Sequence, residues 1–116
     1  MTNYREERPW GEFENLLDEK YCKVKKITIK PYQRPSYQYH FKRSEYWTIV
    51  SGEAVVTING ESKIYKAGES VYVPVLARHR VENKTDSDLI FIEVQTGSYF
   101  GEDDIVRVED DYERPQ

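Results

Sequence analysis

From Tyr21 onward, short runs rich in Val, Ile, Thr and Tyr are cut by Gly, Asn and Pro. Apolar–polar alternation over four to eight residues marks half-buried strands. The pattern predicts strands at residues 21–30, 36–40, 45–50, 54–58, 62–65, 70–73, 79–83 and 89–95. In 54–58, Ala54, Val56 and Ile58 share one face. Asn59-Gly60 predicts a two-residue hairpin, because both central residues of a type I′ turn need positive φ. Pro74 ends the strand before it, since proline has no N–H for the ladder. Residues 89–92 are apolar on both faces, which predicts a strand covered on both sides. No long amphipathic helix is visible. Short strands with turns every eight to twelve residues predict an all-β single domain, a barrel or sandwich. Residues 1–15 are polar and read as an irregular extension anchored by Pro9-Trp10-Gly11. The barrel is expected over 16–108, followed by a charged tail, 109–116, disordered at its end.

Composition narrows the function classes. A chain of 116 residues holds one modest core. The net charge of −4 argues against sequence-independent nucleic-acid binding. No apolar run is long enough to span a bilayer, and Thr2, Asn3, Arg5, Glu6 and Glu7 leave no apolar leader segment at the start. Cys22 is the single cysteine, so no intrachain disulfide forms, which fits a reducing cytoplasm. Ten tyrosines and two tryptophans offer faces to fill a core and to line a pocket for a polar ligand such as a sugar.

The two histidines carry the candidate chemistry. His40 lies in Gln38-x-His40-x4-Glu45-x6-Gly52, and His79 in Gly68-x5-Pro74-x4-His79-x3-Asn83. Residues two apart on a strand share a face, so Gln38 and His40 point the same way. Glu45 lies across a short bend, and His79 comes from the second half of the chain. These four groups converge only if the sheet curls into a barrel. Two imidazoles, a carboxylate and an amide oxygen suit one divalent metal: zinc first, with manganese, cobalt, nickel or iron as alternatives. With no thiolate in the set, the site reads as open and not as a closed structural zinc site.

These segments resemble the two motifs of the cupin superfamily, G-x5-H-x-H-x3,4-E-x6-G and G-x5-P-x-G-x2-H-x3-N. Tyr32, Gln38 and Leu76 stand where the family has Gly, His and Gly. Arg8-Pro9-Trp10-Gly11, Arg43-Ser44-Glu45-x-Trp47, His79-Arg80-Val81-Glu82-Asn83, Ile92-Glu93-Val94-Gln95-Thr96-Gly97-Ser98-Tyr99 and Glu102-Asp103-Asp104-Ile105-Val106-Arg107 look like the type II phosphomannose isomerases. In that family the cupin is commonly the C-terminal part of a bifunctional enzyme with an N-terminal guanylyltransferase. The chain looks like that cupin standing alone. Tyr46 replaces the usual His, and on a strand it faces away from the metal. Tyr32, Pro35 and Leu76 are expected near the pocket mouth.

The resemblance implies a small jelly-roll-like cupin barrel and a cytoplasmic enzyme, mannose-6-phosphate isomerase, converting mannose 6-phosphate to fructose 6-phosphate. A metal on Gln38, His40, Glu45 and His79 would polarise the carbonyl. Glu93 and Arg80 are the expected catalytic residues, with Glu93 as base. Arg43, Arg80 and Arg107 are the expected phosphate-binding residues. Trp10 and Trp47 are expected in the core. The alternatives are a sugar- or metabolite-binding cupin without turnover, and a dioxygenase using two His and a carboxylate for iron. The expected partners are a phosphorylated sugar and a second copy, since small cupins in general pair through an edge strand, here residues 21–30. No nucleic acid or membrane partner is expected.

Overall fold

The structure is a computed structural model that describes residues 3–112. Among these are eleven strands and no helix, arranged in two antiparallel sheets. In chain order the strands are β1 (Arg5–Arg8), β2 (Gly11–Asp18), β3 (Cys22–Ile29), β4 (Tyr37–Tyr39), β5 (Arg43–Ser51), β6 (Glu53–Ile58), β7 (Glu61–Lys66), β8 (Ser70–Val73), β9 (His79–Glu82), β10 (Leu89–Gly97) and β11 (Val106–Glu109). One sheet has the order β1-β2-β3-β10-β5-β8, the other β11-β4-β9-β6-β7. The eight strands predicted from alternation are all present. Asn59 (φ 48°) and Gly60 (φ 86°) turn the β6–β7 hairpin as their residue types require.

Three strands escaped the pattern. β1 and β2 lie in the segment read as an irregular extension, and β11 runs into the charged tail. Glu and Arg dominate β1 because it is an edge strand, whose solvent-facing side chains carry no apolar signal. The disorder expected at the end of the tail, 113–116, lies outside the described residues.

The two sheets close on an apolar core that includes Phe13, Ile27, Ile29, Trp47, Ile49 and Phe91 from one sheet and Ala54, Val56 and Val81 from the other. Trp10 and Trp47 are both buried, as expected. Cross-strand register then grades this interior along the barrel axis. Ile27, Phe91 and Ile49 lie side by side on β3, β10 and β5. Two residues further along, the row is Lys25, Glu93 and Trp47; the next is Lys23, Gln95 and Glu45. All six of these side chains are buried. One end of the barrel is therefore an oil-like core, and the other is a buried polar chamber.

The outer face of the larger sheet carries the opposite anomaly. Ile90, Ile92 and Val94 on central β10 face outward and are only half-buried, so this strand is covered on one side, not two. Register places Leu17, Val24, Val94, Tyr46 and Tyr72 in one straight row across β2, β3, β10, β5 and β8. Tyr46 faces away from the metal cluster, as expected, and stacks on Tyr72 at 4.6 Å between ring centroids. The segment expected to form a pairing edge, 21–30, is β3; it lies between β2 and β10 and has no free edge. Both its neighbours follow from in-register hydrogen bonding, which leaves the sheet's face, not this strand's edge, as the exposed surface.

Candidate metal centre

The polar chamber brings three of the four expected ligands together. His40 follows β4, Glu45 lies on β5 and His79 opens β9. Their ligand atoms all fall within 4.8 Å of one another, and all three residues are buried. His40 Nε2 is 3.4 Å from Glu45 Oε2, and His79 Nε2 is 3.9 Å from Glu45 Oε1. Two ligands about 2.1 Å from one tetrahedral ion lie roughly 3.4 Å apart, so the cluster has the right span for a single metal. Gln38 lines the same cavity and pairs with His79 across β4 and β9.

Backbone hydrogen bonds orient both imidazoles. His40 Nδ1 is 2.6 Å from the Asp104 carbonyl oxygen, and His79 Nδ1 is 2.9 Å from that of Ala77. A carbonyl accepts only from N–H, so Nδ1 carries the proton and Nε2 presents its lone pair to the cluster. Asp104 is itself held, because its carboxylate accepts the Phe41 and Lys42 N–H groups, both at 3.0 Å. The sequence reading passed over this residue. Its signal was weak, a single Asp in an acidic loop.

Electrostatics favours the ligand forms. Burial lowers the His40 pKa to about 4, against the pull of Glu45, and burial also lowers that of His79. Both imidazoles are neutral near pH 7. For Glu45, burial alone pushes upward, but Arg43 and the two histidines together hold the carboxyl below the usual range. Arg43 Nε donates to Glu45 Oε2 at 2.8 Å, and Trp47 Nε1 donates to Glu45 Oε1 at 3.0 Å. The donor set is thus two neutral nitrogens and an ionised carboxylate, which fits a divalent ion.

Glu93 stands beside this set. Burial, then the neighbouring Glu45 charge, raises its pKa to about 8. It accepts from Trp47 Nε1 at 3.1 Å and from Gln95 Nε2 at 2.7 Å. A buried carboxyl protonated near neutrality next to an ionised partner can hold and return a proton.

The arginines divide. Arg43 is buried in the chamber, and its Nη1 has no hydrogen-bond acceptor. Arg80 borders the cavity, but Nε donates to the Pro35 carbonyl, Nη1 to Glu109 Oε1 and Nη2 to the Glu109 carbonyl. Its donors tie β9 to β11 while the residue stays on the cavity wall. Arg107 borders the cavity with Nε 4.0 Å from Asp110.

Three charged cavity residues were missed. Lys25, Glu102 and Arg8 all line it. Lys25 had a legible signal: Lys23 and Lys25 are in phase with the core residues Ile27 and Ile29 on β3. The cavity, about 110 Å³, is several times the ~10–15 Å³ that one water needs by the same measure. Trp10, Phe13, Trp47 and Phe91 supply its aromatic faces, and no tyrosine lines it. Tyr32 and Leu76 are exposed and off the cavity wall, whereas Pro35 lines it. Asn83, buried, ties the loop that follows it by donating to the carbonyls of Ile29 and Ser87.

A family profile described as "Mannose-6-phosphate isomerase C-terminal" matches residues 2–110. The chain belongs to this family. A mannose-1-phosphate guanylyltransferase of Salmonella montevideo is 47% identical to this member over 115 residues, 98% of the chain and 24% of the relative. The alginate biosynthesis protein AlgA of Pseudomonas aeruginosa is 44% identical over 92% of the chain and 22% of the relative. This family member therefore spans about a quarter of the length of the curated relatives it matches. The fold is a cupin. An RmlC-like cupin from Shewanella frigidimarina superimposes with a TM-score of 0.75 at 24% identity, covering 87% of each chain. The capsular polysaccharide assembling protein CapF from Staphylococcus aureus gives 0.80 at 22% identity, over 94% of this chain and 32% of that one.

These relatives correct one expectation. The activity inferred from motif resemblance was the isomerisation of mannose 6-phosphate to fructose 6-phosphate. The curated relatives are named instead for guanylyl transfer to mannose 1-phosphate, or for xanthan and alginate biosynthesis. Motif residues report the cupin barrel and its metal-type cluster, which many chemistries share, so they did not carry the activity. Among the described residues no helix is long and apolar enough to cross a membrane.

Proposed function

We propose that this cupin holds one divalent metal ion, zinc in the first instance, on His40, Glu45 and His79 with Gln38 beside them, and that the chamber binds a phosphorylated sugar of the mannose type. The carrying observation is the convergence of two neutral imidazoles and an ionised carboxylate on the wall of a cavity that also presents Lys25 and Arg43. A His2Glu set leaves a position open for a ligand oxygen, and zinc suits it. The names of the relatives, mannose-1-phosphate guanylyltransferase, support the sugar class. Bound metal supplies a Lewis acid toward a sugar oxygen. The aromatic faces of Trp10, Phe13 and Phe91 pack against the ring, while Glu93 holds a proton beside it. The lone Cys22 supports a reducing, cytoplasmic setting.

The test is calorimetric titration of mannose 1-phosphate into the chain stripped of metal, then reloaded with zinc. Binding that needs zinc and is lost in His40→Ala supports the reading. Equal binding by the stripped and loaded forms, or none by either, removes it.

The partner proposed is a second copy, joined through the outer face of the larger sheet. Six strands at about 4.8 Å spacing, up to nine residues long, offer roughly 24 by 30 Å, close to the ~800 Å² per partner of a standard interface. A two-fold axis along the strands superposes the row Leu17, Val24, Val94, Tyr46, Tyr72 on its own reverse. Leu17 then meets Tyr72 of the partner subunit, Val24 meets Tyr46 of the partner subunit, and large side chains interlock with small. In the adjoining row, Glu14, Lys26, Ile92, Thr48 and Ser70, the same operation sets the two charges against hydroxyls and never against like charges.

A further inference from the structure

The loop between β10 and β11 sends Glu102 back into the mouth of the chamber. Its carboxylate lies between Lys25 and Arg43. It contacts Lys25 Nζ through Oε1, while Oε2 is 3.8 Å from Arg43 Nη1, outside hydrogen-bond range. The two cations are built into the wall, with side chains 5% and 7% exposed, whereas Glu102 is 43% exposed. Each cation is fixed without Glu102. Lys25 Nζ sits 4.1 Å from the centre of the Phe13 ring. Arg43 is braced by Glu45 through Nε, and its Nη2 lies 3.3 Å from His40 Nε2.

This arrangement leaves Arg43 Nη1 buried with no acceptor, an unfavourable state for a charged donor. The hydroxyl of buried Ser36, on the same cavity wall, also has no partner. A carboxylate reaching in from the loop serves Lys25 and falls short of Arg43. A phosphate, with three terminal oxygens and up to two charges, has the valence to serve both.

We propose that Lys25 and Arg43 form an anion subsite at the chamber mouth, that Glu102 occupies it in the free protein, and that the phosphate group of a ligand displaces Glu102 and takes its place. The assignment rests on the reading of the chamber as a phosphorylated-sugar site. It adds where the phosphate binds and what must leave first. Displacement loosens the loop between its anchors at Ser98 and Asp104, a stretch held at this point by the Glu102 ion pairs and by Lys23 Nζ, 3.5 Å from the Phe100 carbonyl. Because an internal carboxylate competes for the subsite, apparent phosphate affinity is lowered by the fraction of molecules in which Glu102 is seated.

The experiment titrates inorganic phosphate, and separately mannose 1-phosphate, into zinc-loaded wild type, Glu102→Gln and Lys25→Met/Glu102→Gln, with zinc content and melting temperature checking that each is folded. Glu102→Gln is expected to bind phosphate roughly tenfold more tightly than wild type, and the double variant to lose that gain. In wild type, amide exchange over 99–103 is expected to quicken when phosphate binds. No gain in Glu102→Gln, a gain that survives loss of Lys25, or slower exchange in the loop would each overturn the subsite. If wild type binds mannose 1-phosphate but Glu102→Gln binds neither anion more tightly, the subsite and its displacement fall while the sugar-phosphate reading of the chamber stands. If no form binds either anion, the sugar-phosphate reading falls with it. Phosphate binding without mannose 1-phosphate binding would assign the subsite to free anion and sink its role in holding a sugar.

Discussion

Glu45 and Glu93 share a single donor: Trp47 Nε1 donates to both, at 3.0 and 3.1 Å. Two buried carboxyls this close do not both ionise. Arg43 stands on the Glu45 side, so Glu45 takes the charge and Glu93 keeps the proton.

That division sets the pH dependence of the metal-free fold. Below about 6.5 the unfolded chain protonates His40 and His79 while the folded chain, with both pKa values lowered, does not, so stability climbs with pH. Above the unfolded carboxyl value Glu93 acts in the opposite sense, since the fold keeps a proton that the unfolded chain has released. The two histidines outweigh it until they stop titrating, after which stability falls toward pH 8, where Glu93 ionises in the fold. Urea unfolding in chelator should therefore peak near pH 6.5 and lose on the order of 1 kcal/mol by pH 8. Glu93→Gln should flatten the upper limb. An unchanged limb in that variant would place the titrating group elsewhere.

Asp104 should govern metal affinity without touching the metal. Its carboxylate caps the Phe41 and Lys42 N–H groups, and its own carbonyl fixes His40. Loosening this segment in Asp104→Ala is expected to weaken zinc binding by about 10-fold to 100-fold. Competition against a chromophoric chelator measures it, and wild-type affinity in the variant would remove Asp104 from the site's support.

Tyr32 and Leu76 occupy left-handed backbone, with φ of 60° and 69°, at positions where the resembling motifs carry glycine. Both side chains are exposed, so little packing offsets the steric cost. Tyr32→Gly and Leu76→Gly are each expected to raise stability by about 0.5–1 kcal/mol in denaturant unfolding. A loss of stability in both would show that the exposed side chains hold the turns.

Gly52 poses the converse case. Its φ is 91°, and a Cβ there would lie 2.7 Å from the Asp88 carbonyl oxygen. Gly52→Ala is expected to cost about 1–3 kcal/mol, since backbone and not a flexible side chain must give way. A neutral substitution would mean that the 84–88 loop shifts freely.

The second-copy interface has its own signature. Tyr46→Asp places a charge in the apolar row, next to its central Val94, at a residue 52% exposed in the single chain. Sedimentation should show a dimer for wild type and a monomer for the variant, with the melting curve of the monomer otherwise intact. A wild-type monomer at tens of micromolar would reject the face as a self-interface.

Most of the strands and the three residues of the His40, Glu45 and His79 cluster are legible in local sequence. Strand alternation, the Asn59-Gly60 turn and the His40, Glu45 and His79 spacings all depend on near neighbours, whose geometry a period of two already fixes. The remaining features depend on contacts between segments far apart in the chain. β1 and β11 became strands because a sheet edge accepts polar sequence. Lys25, Glu93 and Arg43 became a charged chamber only when register laid β3, β10 and β5 side by side. Arg80, on the cavity wall, gives two of its donors to Glu109, a partner 29 residues distant that no local spacing predicts. Glu102 came to lie between Lys25 and Arg43 because a loop 77 residues beyond β3's lysine folds back over the barrel mouth. Which charges meet inside a barrel is set by closure between strands remote in sequence, and that information does not reside in any one segment.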